Sequence, residues 1–286
     1  MSGGRRRPAW ARLVAHSHRI GRRWLAEGLR ARRWEDPRGG LYRLLVPLEP
    51  WRYHELGRVA REAFAGDCLD VSSPKLLPSL LAHEGQGRWI AVDLLDEEIA
   101  RWRRLDPGLD LRVEDARSLG LPDASVDAIA CVSVIEHVVG DGDAAAMAEM
   151  WRVLRPGGVV HLTTNVAARP TEVRTARAVY APAGAGDASP AGEAGAGAPG
   201  VFFERWYDDA GIDARLLGEG WVVEAREYVR ERLPVHRWFF AARPLSFLGG
   251  NLLPLVCPGN FRRIAAAAAV PGGRHGVVYL RLRKPG

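Results

Sequence analysis

Short apolar runs alternate with amphipathic stretches through the middle of the chain. Asp67–Val71, Arg88–Leu94, Leu109–Asp115, Val126–Val134 and Gly158–Thr164 are each rich in Val, Leu, Ile or Ala and too short for ordinary helices. Such runs, bounded by turn residues, are the signature of strands buried on both faces. Between them Lys75–His83, Glu97–Arg104 and Asp143–Leu154 read as helices, and Arg155-Pro156-Gly157-Gly158 as the turn into the fifth strand. Strand and helix alternating at this interval predict right-handed crossovers and a doubly wound, mainly parallel α/β sheet. Trp221–Val229 and Val277–Arg283 complete seven strands, with Glu204–Leu217 as a helix before them.

The flanks follow other rules. From Trp10, apolar and small residues recur at Leu13, Val14, Ser17, Gly21, Trp24, Leu25, Gly28 and Leu29, the spacing of one helix face, with arginines largely on the others. A basic amphipathic helix of this kind either lies on an anionic membrane surface or packs on its own domain with its arginines in water. Trp51–Phe64 reads as a second helix, ended by Gly66. Residues 1–40 are therefore taken as a basic tail and helical extension, and residues 41–286 as the main domain. Within that domain, 181–200 is an Ala/Gly/Pro stretch that cannot bury enough apolar surface to order itself. Residues 230–276 form an insertion whose apolar middle (Trp238 to Phe240, Pro244 to Leu248, Leu252 to Val256) is broken by proline and glycine. No spanning helix survives that punctuation; the segment reads as a packed cap, a lid, a dimer contact or a shallow membrane-contacting surface.

Composition sharpens this only in part. The chain of 286 residues carries a net charge of +6, almost all its positive charge is arginine, and Lys75 and Lys284 are the only lysines. Arginine enrichment beside abundant alanine and glycine is as well explained by genome composition as by nucleic acid. The three cysteines, Cys68, Cys131 and Cys257, are odd in number and lack metal-ligand spacing, which predicts no metal site and a reducing, cytoplasmic compartment. No apolar run reaches the length of a membrane span and no continuous apolar core follows the N-terminal arginines, so neither a transmembrane segment nor a secretory signal is expected.

Chemistry is sought at the carboxyl ends of the strands, where open parallel sheets bind ligands. Those ends are acidic or polar: Asp70, Asp93 and Asp115 close the first three strands, and Ser133, Glu136 and His137 follow the fourth. Asp93 lies at the interval where nucleotide-binding α/β folds place the carboxylate that meets ribose hydroxyls. His137 has the titration range of a general base for a hydroxyl acceptor, or else it packs at a strand end.

In order and spacing, Cys68-Leu69-Asp70-Val71, Ala91-Val92-Asp93, Glu114-Asp115-Ala116 with Leu121-Pro122, Val126 to Ile129 running on to Ser133-Val134-Ile135-Glu136-His137-Val138, and Glu149 to Gly158 resemble the five motifs of the class I S-adenosylmethionine-dependent methyltransferases. The resemblance is to the small-molecule, ubiquinone-biosynthesis-like group and covers about residues 66–165. It implies a Rossmann-like seven-stranded fold and S-adenosylmethionine as cofactor. By the same resemblance Asp70, Ser72 and Ser73 face the methionine part, Asp93 the ribose with Leu94 beside it, Asp115 and Ala116 the adenine, and Val132 and Ser133 the floor beneath the sulfonium. The implied acceptor is a small molecule, with a lipid-linked one as a further reading prompted by the basic helix and the apolar insertion; peripheral contact with the inner membrane surface follows from that reading. Nucleic acid is disfavoured, because Ser133-Val134-Ile135-Glu136 stands where an Asn-Pro-Pro-aromatic motif would be expected. The departure from the family is the glycine-free turn Ser72-Ser73-Pro74, which keeps open a non-catalytic relative that has lost the cofactor.

Overall fold

The computed structural model describes residues 7–32, 35–176, 200–218, 220–242 and 245–286. In chain order the elements are α1 (Ala9–Ala31), α2 (Glu35–Leu45), α3 (Arg52–Val59), β1 (Asp67–Val71), α4 (Leu76–His83), β2 (Arg88–Asp93), α5 (Asp96–Leu105), β3 (Asp110–Val113), β4 (Val126–Val132), α6 (Gly142–Val153), β5 (Leu154–Val166), β6 (Thr171–Thr175), β7 (Val201–Trp206), α7 (Asp209–Ile212), β8 (Val222–Glu231), α8 (Val235–Ala241), α9 (Leu245–Leu248), α10 (Leu253–Asn260), β9 (Phe261–Ile264) and β10 (Gly276–Arg283). A 3-10 turn at Ile135–His137 follows β4, and another, Gly250–Leu252, separates α9 from α10. The low-complexity stretch at 181–200 lies outside the described residues except for Gly200. Two compact units emerge: residues 64–75, 85–230 and 263–286, which carry the sheet, and residues 1–63, 76–84 and 231–262, which are mainly helical.

In the sheet unit the strand order is β3-β2-β1-β4-β5-β10-β8-β9. The first five strands are parallel to their neighbours, and β10 runs antiparallel between β5 and β8. This is the predicted doubly wound sheet with one strand more than the seven expected, because Phe261–Ile264 adds an edge strand beyond β8. Leu69, Val71, Val92, Ile129, Val160 and Leu280 are buried in one continuous core, which is why these runs lack the alternation of a half-exposed strand.

Two expectations are corrected. Residues 204–206 are not helical: Trp206, Arg205 and Glu204 pair with Thr171, Glu172 and Val173 in a separate two-stranded hairpin, β6–β7. The helix begins only at Asp209, capped by the Asp208 carboxylate, which accepts from the Gly211 N–H at 2.7 Å. Pairing with a partner distant in sequence overrode local pattern. The Arg155–Gly158 turn lies within β5, as an irregular start where the register against β4 jumps from Val126↔Leu154 to Ala128↔Val159.

The sheet unit is pinned by a buried carboxylate that the sequence marks only as a helix-start residue. Asp143 is wholly buried at the start of α6 and accepts from Arg205 (2.7 Å), Arg215 (2.7 Å) and the Tyr207 hydroxyl (2.9 Å), so that α6, β7 and the 213–217 turn share one anion. Burial alone would raise this carboxyl, but the Arg215 guanidinium and the Tyr207 hydroxyl outweigh it and hold it below the ordinary range.

In the helical unit α1 packs along α2 through glycines. A Cβ on Gly40 would stand 2.5 Å from the Leu25 nitrogen, so the two backbones touch. α1 also meets α4: His16 Nε2 lies 2.7 Å from the Ser79 hydroxyl, both side chains buried, and burial followed by the nearby Arg19 charge holds the imidazole neutral, its pKa lowered to about 3. The N-terminal helix is thus packed into a folded unit along its Leu13, His16, Ser17 and Ile20 face.

Removing the shared anion leaves two guanidinium groups without their buried partner, which costs about 3 kcal/mol. Asp143→Ala is therefore expected to lower the thermal midpoint by about 5–10 °C in a circular-dichroism melt. Substitution of the exposed Asp123 provides the comparison, and a midpoint no lower than its own would refute the role.

Candidate functional site

Geometry at the carboxyl ends of β1 and β4 sets this region apart. From β1 the chain proceeds to β2 and β3 on one side, then crosses to β4 and β5 on the other, so the ends of β1 and β4 flank the topological switch point. Each strand is followed by a serine in the left-handed backbone region, Ser72 at φ +52° and Ser133 at φ +54°. Each donates its N–H to a neighbouring strand at 3.0 Å, Ser72 to the Val92 carbonyl and Ser133 to the Thr163 carbonyl, before the chain turns away. A non-glycine residue there carries roughly 1–2 kcal/mol of strain, and strain of this sort gathers where a ligand is held. The turn that lacks glycine in sequence therefore adopts the conformation glycine would have supplied.

Between the two aspartates of β1 and β2 lies a buried ammonium. Lys75 is 1% exposed and donates to Asp70 Oδ2 at 3.0 Å, to Asp93 Oδ2 at 3.1 Å and to the Ser73 carbonyl at 2.9 Å. Three donors meet three acceptors, the full capacity of an ammonium. Burial alone would lower the Lys75 pKa, and the two carboxylates reverse this and raise it. Burial pushes the Asp70 carboxyl up to about 6, with Lys75 restraining the rise. The second oxygen of Asp70, Oδ1, is buried without a hydrogen-bond partner. Asp93 Oδ1 accepts from the Leu95 N–H at 3.1 Å, and its side chain is 13% exposed.

The other expected site residues fall into two groups. Some are tied to the sheet. The Ser73 hydroxyl accepts from the Val132 N–H at 2.8 Å and donates to the Ala130 carbonyl at 3.4 Å, so it fastens the turn to β4. The Ser133 hydroxyl donates to Glu136 Oε1 at 2.9 Å, and Thr164 donates to Oε2 at 3.0 Å, which seats a fully buried Glu136 beneath the second turn. Val132 is buried, and Ala116 belongs to the core. Others stand at the rim. Asp115 is held bidentately by Arg117 with contacts from 2.6 to 3.0 Å, and that pairing lowers its pKa. Leu94 is 55% exposed, and Val113, in register with Asp93 on the next strand, is 48% exposed. His137 Nδ1 lies 2.9 Å from the Phe203 carbonyl. A carbonyl only accepts, so Nδ1 carries the proton and the lone pair of the neutral ring is on Nε2.

Asp70 and Asp93 are thus brought together, whereas Asp115 and His137 have partners of their own. Lys75, Arg117 and Val113 did not emerge from the sequence as site residues. Lys75 carried a signal, since a lysine directly after the first strand's turn is conspicuous in a chain that otherwise uses arginine. Among the described residues no cluster of His, Cys, Asp or Glu could hold a metal ion.

Comparison with known proteins gives likenesses to methyltransferases over part of the chain. Residues 69–162 match a family model described as a methyltransferase domain. A probable S-adenosylmethionine-dependent methyltransferase of Mycolicibacterium smegmatis is 34% identical over 116 residues, covering 40% of this chain and 44% of that protein. An uncharacterized methyltransferase of Schizosaccharomyces pombe is 33% identical over 98 residues, 34% of this chain and 38% of that protein. The chain thus aligns with less than half the length of either relative. The crystal structure of the [4+2]-cyclase SpnF superposes with a TM-score of 0.50 at 21% identity, covering 80% of this chain and 79% of that one, a likeness of fold alone.

If the Ser72 backbone is strained, Ser72→Gly is expected to stabilise the protein by about 0.5–1 kcal/mol in urea unfolding, and the β-branched Ser72→Val to destabilise it by about 1 kcal/mol or more. Equal midpoints for the two variants would refute the strain.

Proposed function

We propose that this chain, whose residues 69–162 match a methyltransferase-domain family model, is a class I S-adenosylmethionine-dependent methyltransferase that transfers the methyl group of S-adenosylmethionine to a small-molecule acceptor. The observation that carries the reading is Asp70 Oδ1: a buried carboxylate oxygen with no partner, at the switch point, beside a second carboxylate. An orphaned buried acceptor is costly unless a ligand donor satisfies it, and an ammonium group is the donor best matched to it.

When bound, the cofactor supplies an electrophilic methyl group on a sulfonium. The chain's own residues bind and align. Asp70 Oδ1 would accept from the cofactor's ammonium, and Asp93 would use its remaining lone pairs for the ribose hydroxyls. Leu94 and Val113 offer apolar surface to a flat base, while Asp115, fixed by Arg117, would accept from the adenine amine beside Ala116. Val132 and Ser133 would line the floor. Lys75 offsets one of the two carboxylates, leaving a net single negative charge for a cofactor whose own net charge is +1. In-line transfer to an aligned nucleophile needs no covalent step from the protein, so positioning supplies much of the rate. His137, with Nε2 as its lone-pair nitrogen, would take the proton from a hydroxyl acceptor.

A second reading has one observation in its favour. Lys75 engages the Asp93 oxygen that a ribose would otherwise use, as expected of a non-catalytic relative. Calorimetry separates the two. Titration with S-adenosylmethionine at pH 7.5 is expected to give a Kd on the order of micromolar, lost in Asp93→Ala; a folded wild-type protein that gives no heat establishes the second reading instead.

The same titration has a pH signature. A carboxyl pushed up to about 6 is ionised at pH 7.5 and takes up a proton as the pH falls through 6, so the wild-type affinity is expected to drop about tenfold by pH 5. Asp70→Asn should bind weakly and without that slope, and a slope that persists in it would assign the titration elsewhere.

A further inference from the structure

The helical unit carries an arrangement that a water-facing surface does not need. Leu245, Leu248, Leu252 and Leu255 recur at intervals of three, four and three along α9, the 3-10 turn and α10, and they are 72%, 76%, 62% and 82% exposed. The positions turned inward in the same segment are Gly250, Cys257 and Asn260, all buried. Phe247 packs partly inward, edge-on to Tyr42, but four exposed leucines outside and a glycine, a cysteine and an asparagine at the buried positions still invert the amphipathic pattern of a helix on a soluble protein.

The inversion is locked by packing. A Cβ on Gly250 would stand 2.4 Å from the Leu45 carbonyl oxygen, so no larger residue could face that way. Asn251 donates to the Leu44 carbonyl at 2.8 Å and lies 3.0 Å from His18 Nε2. Asn260 donates to the Leu233 carbonyl at 2.9 Å and accepts from the Leu233 N–H at 3.0 Å. Rotating the segment to bury its leucines would break every one of these bonds. Trp238 on α8, 54% exposed, adds a further large apolar side chain in the same unit.

Charge identifies the partner. Residues 1–63, 76–84 and 231–262 contain 19 arginines against 8 carboxylates, a net +11, while the rest of the chain has 21 basic residues against 26 acidic ones, a net −5. From residue 232 to 262 the sequence contains no Asp or Glu. Exposed leucines and a tryptophan on a strongly cationic unit match the two attractions that bind proteins to anionic bilayers, apolar burial and headgroup charge. A second copy of the same unit would be repelled by its charge. We infer that the Leu245–Leu255 row is a membrane-docking surface that seats the helical unit on an anionic lipid bilayer.

The inference is independent of the proposed methyl transfer and is tested without it. Full-length protein is sedimented with vesicles of phosphatidylcholine alone and of equimolar phosphatidylcholine and phosphatidylglycerol. Binding to the anionic vesicles only, weakened by salt, is expected, with a loss of about tenfold or more in the Leu248→Ser/Leu255→Ser double variant. An independent readout uses wild-type folding: lipids brominated on their acyl chains should quench Trp238, with Trp238→Phe as the blank. Absence of vesicle binding, undiminished binding of the double variant, or no Trp238-dependent quenching would each overturn the inference. So would light scattering that shows a wild-type dimer turned into a monomer by the leucine substitutions, since the row would then be a protein interface.

Discussion

The ammonium of Lys75 is the interaction on which the carboxyl ends of β1 and β2 depend. β1 and β2 each deliver an aspartate to the same corner, and two carboxylates brought together away from water repel each other and lose hydration. One compact cation with three donors, two for the carboxylates and one for the Ser73 carbonyl, makes that corner stable. An arginine would bring a planar fork to a place that calls for a point charge with tetrahedral reach. Lys284 has the same kind of role, with its ammonium donating to the Trp151 and Leu154 carbonyls at 2.8 Å each. In a chain that otherwise uses arginine, both lysines stand where geometry requires an ammonium.

Much of this was legible in the sequence, and the rest was hidden for physical reasons. The parallel strands announced themselves because burial on both faces leaves an uninterrupted apolar run, as in Cys68 to Val71 and Ala128 to Val132. Asp70 and Asp93 could be located because Asp93 ends such a run and Asp70 stands one residue before the end of another. The β6–β7 hairpin was missed, since the alternation of Thr171–Thr175 covers only five residues and its partner strand Val201–Trp206 lies about 25 residues further along the chain. Hidden as well were the bond from Ser73 to the Val132 N–H, which spans 59 residues of sequence, and the inward orientation of Asn260. The glycine-free first turn keeps a backbone conformation that glycine favours, since Ser72 adopts it, as Ser133 does after β4.

The two units also divide the chain's electrostatics. A modest overall charge of +6 conceals a cationic helical unit and an anionic sheet unit. The proposed cationic cofactor would meet the second, and the inferred anionic bilayer the first. Whole-chain pI, the quantity most easily read from composition, averages away the asymmetry that distinguishes them.

The His16–Ser79 contact bears on how the protein can be shortened. α1 lies in the stretch that expression projects most readily trim, yet its buried histidine closes on a helix that starts one residue after Lys75. A chain begun after residue 40 would expose the Leu13, His16 and Ile20 contact surface of its own unit and leave the Ser79 hydroxyl facing water. Versions of this protein that lack α1 are therefore expected to lose part of the buried core of their helical unit.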